Sequence, residues 1–283
     1  MKKTYVNRTP LYHVDAFTKR PFAGNPAAVC LLEQTPKDSV LQSIAAEMNL
    51  SETAFLHKTE RKPIEEQRLF SLRWFTPKME VDLCGHATLA TAAVLFYDIG
   101  ISATEISFET RSGKLTARLD DDGILLDLPS YVTTPVNPNQ DILEATGIKD
   151  FKSAHFSKET RDLLIVLENE KTLRNLKPNF DHLKSLRTPE RMQGIIATSK
   201  GHAPYDFVSR YFAPWVGINE DPVTGAAHTI LGPFWSEILK KKEMRAYQAS
   251  ERGGELAINI LAPNRVGLIG NAVIISKGEL RLQ

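Results

Sequence analysis

The sequence predicts an α+β protein of two pseudo-symmetric domains, each a barrel-like mixed or antiparallel sheet wrapped around one central helix. Three observations predict this fold: short segments typical of strands, two apolar helices without a polar face, and an internal repeat. The chain has 283 residues, which is long enough for two domains that each bury a core.

The first half contains several segments that are typical of strands, and one amphipathic helix. The helix is predicted over residues 38–49, with Asp38 as its N-cap and Asn49 in the left-handed position that ends it. The predicted strands are residues 27–32, 53–57, 70–76, 106–111, 114–119 and 124–129.

A second helix is predicted over residues 87–97, where the segment ATLATAAVLFY is apolar or small on every side. A helix without a polar face is buried all round. The second half has the segment AAHTILGPFW in the corresponding place. We therefore expect each half to hold one helix inside its sheet.

The internal repeat consists of three short matches that occur in the same order, at offsets of 137, 141 and 142 residues. The matching segments are RWFTP (73–77) and RYFAP (210–214), GKLTARL (113–119) and GELAINI (254–260), and DGILLDL (122–128) and NRVGLIG (264–270). A nearly constant offset indicates duplication.

The boundary between the duplicated halves is predicted near residues 128–140, where three prolines favour an extended linker. We therefore expect one domain over residues 1–129 and a second over residues 130–283, with a last strand that can return to the first domain.

Both central helices begin with glycine-containing motifs, CGHAT (84–88) and DPVTGAA (221–227). The first N–H groups of a helix have no internal partner, and the helix dipole favours an anion there. If the halves are related by a pseudo-twofold axis, His86 and Asp221 face one cleft that suits an anionic small molecule. Each motif alone also fits an ordinary helix start, with Asp221 as N-cap and His86 as a core histidine.

The segment MNLSETAFL (48–56) places Glu52 between the amphipathic helix and a predicted strand. A glutamate can move a proton at neutral pH when partial burial raises its pKa, and apolar neighbours such as Leu50 and Phe55 would provide that burial. Taken alone, the segment fits an ordinary turn carboxylate better. A functional role is favoured because both central helices begin with glycine-containing motifs that suit an anion.

Composition excludes several classes of protein. The net charge is +1 without a long basic block, so nothing indicates nucleic-acid binding. Two cysteines, Cys30 and Cys84, do not make a disulfide framework, and a reducing compartment is expected. The N-terminus has no apolar core of a signal peptide, and the longest apolar run, residues 87–96, is too short to span a membrane. We expect a soluble, cytoplasmic protein.

Four segments together resemble the PhzF-like family, the isomerase group of phenazine biosynthesis, which is similar in fold to diaminopimelate epimerase. The segments are VDAFTKRPFAGNPAAV (14–29), NLSETAFL (49–56), EVDLCGHATLATAAVL (80–95) and NEDPVTGAAH (219–228). The resemblance implies an active site in the cleft between two domains, a homodimer, no metal and no organic cofactor.

The resemblance also implies roles for individual residues. Glu52 matches the acid–base glutamate of the family, and His86 and Asp221 match its essential polar partners. Backbone groups at Gly85 and Gly225 match those that bind the substrate carboxylate.

Two further positions belong to the substrate-binding set that the resemblance implies. Asn25, in the segment GNP, matches a cleft position of the family. Ala226 stands where many members have a serine, so we expect a substrate that differs from the phenazine precursor. Cys84 matches the first catalytic cysteine of the epimerase relatives, but the partner position, taken as Asp221 or Pro222, holds no second cysteine.

The expected function is that of a cofactor-independent, isomerase- or epimerase-like enzyme that moves a proton at a carbon of a small carboxylate-bearing metabolite. One alternative is a thiol enzyme that uses Cys84 with His86, because a helix N-terminus lowers the pKa of a thiol. Positions i and i+2 of a helix do not face each other, which argues against it. The other alternative is a non-catalytic binder of an anionic metabolite or a partner protein.

Overall fold

The structure is a computed structural model that describes residues 7–188 and 192–282. The described chain forms two compact units. Unit 1 holds the described residues up to Asp127 together with those from Ile269 onward, and unit 2 holds those of Leu128–Leu268.

The strands of the described chain are numbered in order. They are β1 Asn7–Ala16, β2 Asn25–Leu32, β3 Glu52–Lys58, β4 Leu69–Phe75, β5 Glu80–Val81, β6 Glu105–Thr110, β7 Gly113–Asp120, β8 Gly123–Pro129, β9 Thr134–Pro135, β10 Ser153–Ser157, β11 Asp162–Val166, β12 Gly194–Lys200, β13 Phe207–Ala213, β14 Ile218–Asp221, β15 Glu243–Gln248, β16 Gly254–Ala262, β17 Arg265–Gly270 and β18 Ala272–Leu282. The six strands predicted for the first half are confirmed as β2, β3, β4, β6, β7 and β8.

The helices are numbered in the same way. They are α1 Asp38–Met48, α2 Gly85–Ala93, α3 Gln140–Thr146, α4 Glu170–Arg174, α5 Phe180–Ser185 and α6 Gly225–Leu239, with 3₁₀ turns at Ile64–Glu66 and Pro214–Val216 and a π-helical segment at Val94–Ile99. None of the described helices combines the length and apolar character that a membrane-spanning helix needs.

The two units share one pattern of strand pairing. In unit 1, β1 and β2 are antiparallel, β2 and β3 parallel, β3 and β4 antiparallel, β4 and β6 parallel, and β6 and β7 antiparallel. In unit 2 the same order holds for β10, β11, β12, β13, β15 and β16. Parallel neighbours need a long connection, and α2 and α6 lie in the corresponding connections, before β6 and β15. This shared topology agrees with a duplicated chain.

Both central helices are buried. All residues of α2 are buried, as its sequence predicts. In α6, a side-chain carbon at Gly232 would lie 3.1 Å from the side chains of Ile258 and Val266, so the glycine lets the helix pack closely on the sheet. A barrel-like sheet around a central helix is therefore confirmed.

The ends of α1 were predicted only in part. Asn49 has φ 49° and ψ 36° and ends the helix as expected. The predicted N-cap is wrong, because Lys37 occupies that position with an extended backbone and Asp38 is already helical. The Asp38 carboxylate instead accepts a hydrogen bond of 2.8 Å from Arg73.

The first match of the internal repeat, RWFTP with RYFAP, marks equivalent ion pairs. Arg73 donates two hydrogen bonds of 2.7 Å to the two carboxylate oxygens of Glu80. Arg210 donates two of 2.7 and 2.8 Å to Glu220. Each guanidinium also lies over the ring of the phenylalanine two residues later, at 5.1 and 4.9 Å. These forked pairs tie β4 to β5 and β13 to β14, just before the central helices begin.

Candidate active site

The site in unit 1 is centred on a glutamate and a histidine. Glu52 is the first residue of β3, and its side chain is 12% exposed. His86 is the second residue of α2, and its side chain is 4% exposed. The Nε2 atom of His86 lies 3.3 Å from Oε2 of Glu52, close enough for an electrostatic contact but not aligned as a hydrogen bond. The structure therefore places the two predicted groups side by side.

The other ring nitrogen of His86 faces two more side chains. Nδ2 of Asn25 lies 3.1 Å from His86 Nδ1, and Sγ of Cys84 lies 3.6 Å from the same atom. Cys84 is the N-cap of α2 with an extended backbone (φ −142°, ψ 105°), so its side chain leaves the helical row. The prediction that Cys84 and His86 do not face each other is therefore wrong.

Burial sets the charge of the histidine. His86 is enclosed by the sheet and α2, and this burial lowers its pKa to about 3. The ring is consequently neutral at physiological pH, and a thiolate–imidazolium pair with Cys84 is disfavoured.

The same residues include potential metal ligands. Ligand atoms of Glu52, Cys84 and His86 lie within 4.8 Å of one another, and these donor types suit zinc. Glu52 and Cys84, however, contact opposite nitrogens of the imidazole ring, whose lone pairs diverge. Only one of the two nitrogens can therefore serve as a ligand to an ion that the carboxylate and the thiol share.

Unit 2 contains the start of the second central helix, α6, and the turn before it. Asp221 is the last residue of β14 and is 5% exposed, whereas the N-cap of α6 is Thr224. The interpretation of Asp221 as an N-cap is therefore wrong. Thr224 Oγ1 donates a hydrogen bond of 2.6 Å to Asp221 Oδ2, which holds the carboxylate against the turn.

A residue that the sequence did not reveal holds this turn. The fully buried amide of Gln248 accepts a hydrogen bond of 2.9 Å from the backbone N–H of Thr224. It donates bonds of 2.7 Å to the Asp221 carbonyl and 3.1 Å to Thr224 Oγ1. No local signal marks Gln248, because it lies 24 residues beyond the turn, at the end of β15.

His228 has a packing role in unit 2. It is fully buried in α6, and its Nδ1 donates a hydrogen bond of 2.8 Å to the carbonyl of Thr224. Burial lowers its pKa to about 4, so this histidine is also neutral.

The first residues of α2 and α6 show which residue of unit 2 corresponds to Cys84, and it is not the one predicted from the sequence. Because α2 begins at Gly85 and α6 at Gly225, Cys84 corresponds to Thr224 rather than to Asp221 or Pro222. The offset of three residues arises because β14 is two residues longer than β5 and β13 runs one residue past Phe212, whereas β4 ends at Phe75.

The predicted site residues fall into two groups, one in each unit. Unit 1 holds Asn25, Glu52, Gly85 and His86, and unit 2 holds Asp221, Gly225 and Ala226. Within unit 1 the side chains of Asn25, Glu52 and His86 are gathered around one imidazole ring. That the two groups face a common cleft stays a prediction.

The fold defines the class of the protein as epimerase-like. A solved hydroxyproline epimerase from Agrobacterium vitis has a TM-score of 0.60 at 10% identity, with 98% of this chain and 94% of that chain covered. At that identity the likeness shows the fold alone. The family is shown by the sequence: the model of the family described as phenazine biosynthesis-like protein matches residues 14–278. The chain belongs to this PhzC-PhzF family.

Relatives and a solved structure agree with this assignment. The chain is 48% identical to the mouse phenazine biosynthesis-like domain-containing protein 1, with 96% of this chain and 99% of the relative covered. It is 49% identical to an uncharacterized isomerase from Halalkalibacterium halodurans, with 97% and 99% covered. A solved PhzF-family protein from Enterococcus faecalis has a TM-score of 0.87 at 41% identity, with 98% of this chain and 100% of that chain covered. The isomerase name supports an isomerase-type enzyme.

Proposed function

We propose that the protein is a cofactor-independent isomerase that moves a proton at a carbon of a small carboxylate-bearing metabolite, with Glu52 as the acid–base group. One observation carries the proposal: the mostly buried Glu52 carboxylate lies 3.3 Å from a neutral, buried His86 at the start of a helix. A carboxylate in such a place can take a proton from carbon and return it to another position.

The neighbouring groups have supporting roles in this proposal. The N–H of His86 holds a substrate oxygen or nitrogen, and the N–H groups at the start of α2, from Gly85 onward, stabilise negative charge. The corresponding groups at Gly225 bind the substrate carboxylate, and Asp221 orients the substrate or a protonated amine.

Three further features belong to the proposal. Ala226 offers no hydroxyl to the bound carboxylate, so the substrate differs from the phenazine precursor. The protein acts as a homodimer in the cytoplasm. It uses no organic cofactor and no metal, as its resemblance to the PhzF-like isomerases implies.

Deuterium exchange over a panel of carboxylic acids tests the proposal. The protein is incubated in deuterated water with amino acids, hydroxy acids and cyclic unsaturated carboxylic acids, and proton NMR detects exchange at carbon. For any compound that exchanges, Glu52→Gln should slow the exchange by about 100-fold or more, because general acid–base catalysis contributes at least that much.

A matched substitution controls for the loss of a carboxylate. Glu47 is exposed on α1, so Glu47→Gln should leave the exchange rate unchanged. Native exchange in Glu52→Gln would overturn the assignment. A compound that stabilises the protein against heat but shows neither exchange nor turnover would point to a binding protein instead.

The contact between Cys84 Sγ and His86 Nδ1 at 3.6 Å favours a second candidate, a thiol enzyme. Such an enzyme requires a reactive thiolate, which a protonated histidine would stabilise. Because burial keeps His86 neutral, the contact supplies no positive charge to a thiolate, and the glutamate mechanism is the better supported of the two.

A further inference from the structure

We propose that Asn25 is a positioning residue that holds His86 in the tautomer with its proton on Nε2, the ring nitrogen that lies nearest to Glu52. The inference rests on the proposed function for its catalytic meaning, whereas the tautomer itself is a property of unit 1 that can be measured without a substrate.

The atoms around Nδ1 of His86 indicate that this nitrogen accepts hydrogen bonds. Nδ2 of Asn25 lies 3.1 Å from this atom, and an amide nitrogen is only a donor. The thiol of Cys84, at 3.6 Å, is a weak donor to the same atom. With donors on this side, Nδ1 must accept, and in a neutral ring the proton is then on Nε2.

The neighbour of Nε2 of His86 is a hydrogen-bond acceptor. Nε2 lies 3.3 Å from a carboxylate oxygen of Glu52, which accepts hydrogen bonds and does not donate when it is ionised. The opposite tautomer would turn a lone pair toward the carboxylate and an N–H toward the amide of Asn25. Both contacts would then be repulsive, so the two neighbours of His86 select the same tautomer.

The backbone around Asn25 fixes the amide in place. Asn25 is fully buried and begins β2, where it pairs with Ala16 of β1. The preceding Gly24 has φ +66°, and a side-chain carbon there would meet the carbonyl oxygen of Ala16. Upstream, the buried Asp15 accepts a hydrogen bond of 2.7 Å from the N–H of Phe22. The loop before Asn25 is thus held in place by contacts within unit 1.

The tautomer assigns different roles to the two partners. With its proton on Nε2, His86 can donate a hydrogen bond to a substrate bound beside Glu52, and it cannot remove a proton with that atom. Between Nε2 and the carboxylate, Glu52 is then the group that can accept a proton. Asn25 acts through His86, which changes its expected role from substrate binding to positioning.

The protein contains its own reference for the opposite tautomer. His228 is also fully buried and neutral, but its Nδ1 faces a carbonyl oxygen at 2.8 Å, so that nitrogen carries the proton. The hydroxyl of Ser209 lies 3.5 Å from its Nε2 and can donate to it. One spectrum should therefore show both tautomers.

Nitrogen NMR of the full chain, labelled with ¹⁵N-histidine, tests the inference at pH 7. The signals of the two buried histidines are assigned with His86→Gln and His228→Gln. We expect wild-type His86 to show a protonated Nε2 and an unprotonated Nδ1, and His228 to show the reverse. A protonated Nδ1 in wild-type His86 would overturn the inference, whatever the variants show.

Two variants isolate the part played by Asn25. Asn25→Asp places an acceptor beside Nδ1, so His86 should lose the Nε2-only pattern and gain a proton on Nδ1, while unchanged His228 signals show that the fold is intact. Ser209→Ala is the matched control and should leave His86 unchanged. A His86 pattern that survives Asn25→Asp would refute the positioning role. Native exchange by Glu52→Gln would refute the proposed function and leave the tautomer standing.

Discussion

Asp162 is a buried carboxyl group outside the candidate site, and its ionisation should control the pH dependence of stability. It begins β11 and is 3% exposed, and Tyr211 donates a hydrogen bond of 2.9 Å to its Oδ1. Burial raises its pKa to about 7, against about 3.9 in an unfolded chain. The folded protein therefore favours the protonated acid.

The sign of the effect follows from linkage. A folded-state pKa above the unfolded one contributes stability that is complete below about pH 3.9 and is lost as the pH rises toward 7. Three pKa units correspond to about 4 kcal/mol in total. Between pH 4.5 and pH 8 the loss from this single group should be about 3 kcal/mol.

Asp162→Asn removes the titration and nearly keeps the shape. The amide has its own cost, because it offers N–H groups where the carboxyl oxygens accept hydrogen bonds, but this cost does not depend on pH. The difference in unfolding free energy between variant and wild type should therefore move by about 3 kcal/mol in favour of the variant between pH 4.5 and pH 8. Urea unfolding followed by circular dichroism at a series of pH values measures it.

A matched control separates this effect from a general loss of negative charge. Asp150 is exposed, and Asp150→Asn should shift the unfolding free energy by a nearly constant amount over the same range. If the difference in unfolding free energy between Asp162→Asn and wild type were equally independent of pH, Asp162 would have the same pKa in the folded and unfolded states. That result would refute the argument from burial.

Three further substitutions have expected outcomes. Cys84→Ala should keep at least about a tenth of the exchange activity, and complete loss of activity would favour the thiol enzyme. Iodoacetamide should label the wild-type Cys84 thiol slowly at pH 6, and rapid labelling would likewise favour the thiol enzyme. Gly24→Ala should destabilise the protein by at least about 2 kcal/mol in urea unfolding, because φ is +66° and a carbonyl oxygen blocks the added carbon, whereas Gly278→Ala, in open space, should be nearly neutral. Gln248→Leu should cost about 2–5 kcal/mol, because it leaves buried backbone groups of the Asp221 turn unpaired, and a cost below 1 kcal/mol would contradict that role.

Local patterns in the sequence predicted the elements of the fold well. The strands of the first half, α1 and the two buried helices follow from periodicity and composition, which act over a few residues. Errors occurred where backbone angles decide. The extended conformation of Lys37, rather than the capping ability of Asp38, sets the start of α1. The extended N-cap Cys84 likewise brings its thiol to a histidine that helical spacing would keep away.

The site was predictable only as a set of candidates. Glu52 and His86 stand out through their motifs, but their contact depends on the pairing of β3 with its neighbours and on the packing of α2. The amide of Asn25 reaches His86 across 61 residues of sequence. Gln248 follows no motif at all. Such contacts arise from tertiary packing, which a local pattern does not encode.

Strand register extends the internal repeat beyond what the sequence reveals. Phe75 pairs with Thr53 in unit 1, and its counterpart Phe212 pairs with Ile195 in unit 2. The residue before Thr53 is Glu52, so the counterpart of Glu52 is Gly194.

The same comparison locates the counterparts of the other site residues. Ala27 pairs with Glu52, whereas Asp162 pairs with Gly194. His86 follows the first glycine of α2, and Ala226 follows that of α6.

The equivalent position in unit 2 thus has no counterpart of the Glu52–His86 pair and holds a different buried cluster. A side-chain carbon at Gly194 would meet the ring of Tyr211, so this ring fills the space that a side chain would need. The hydroxyl of Tyr211 in turn bonds to Asp162, the counterpart of an alanine in unit 1. Both units keep the forked Arg–Glu pair that secures the entry to the central helix. The two units therefore share one scaffold, whereas the Glu52–His86 pair lies in unit 1 and the buried, Tyr211-bonded Asp162 lies in unit 2.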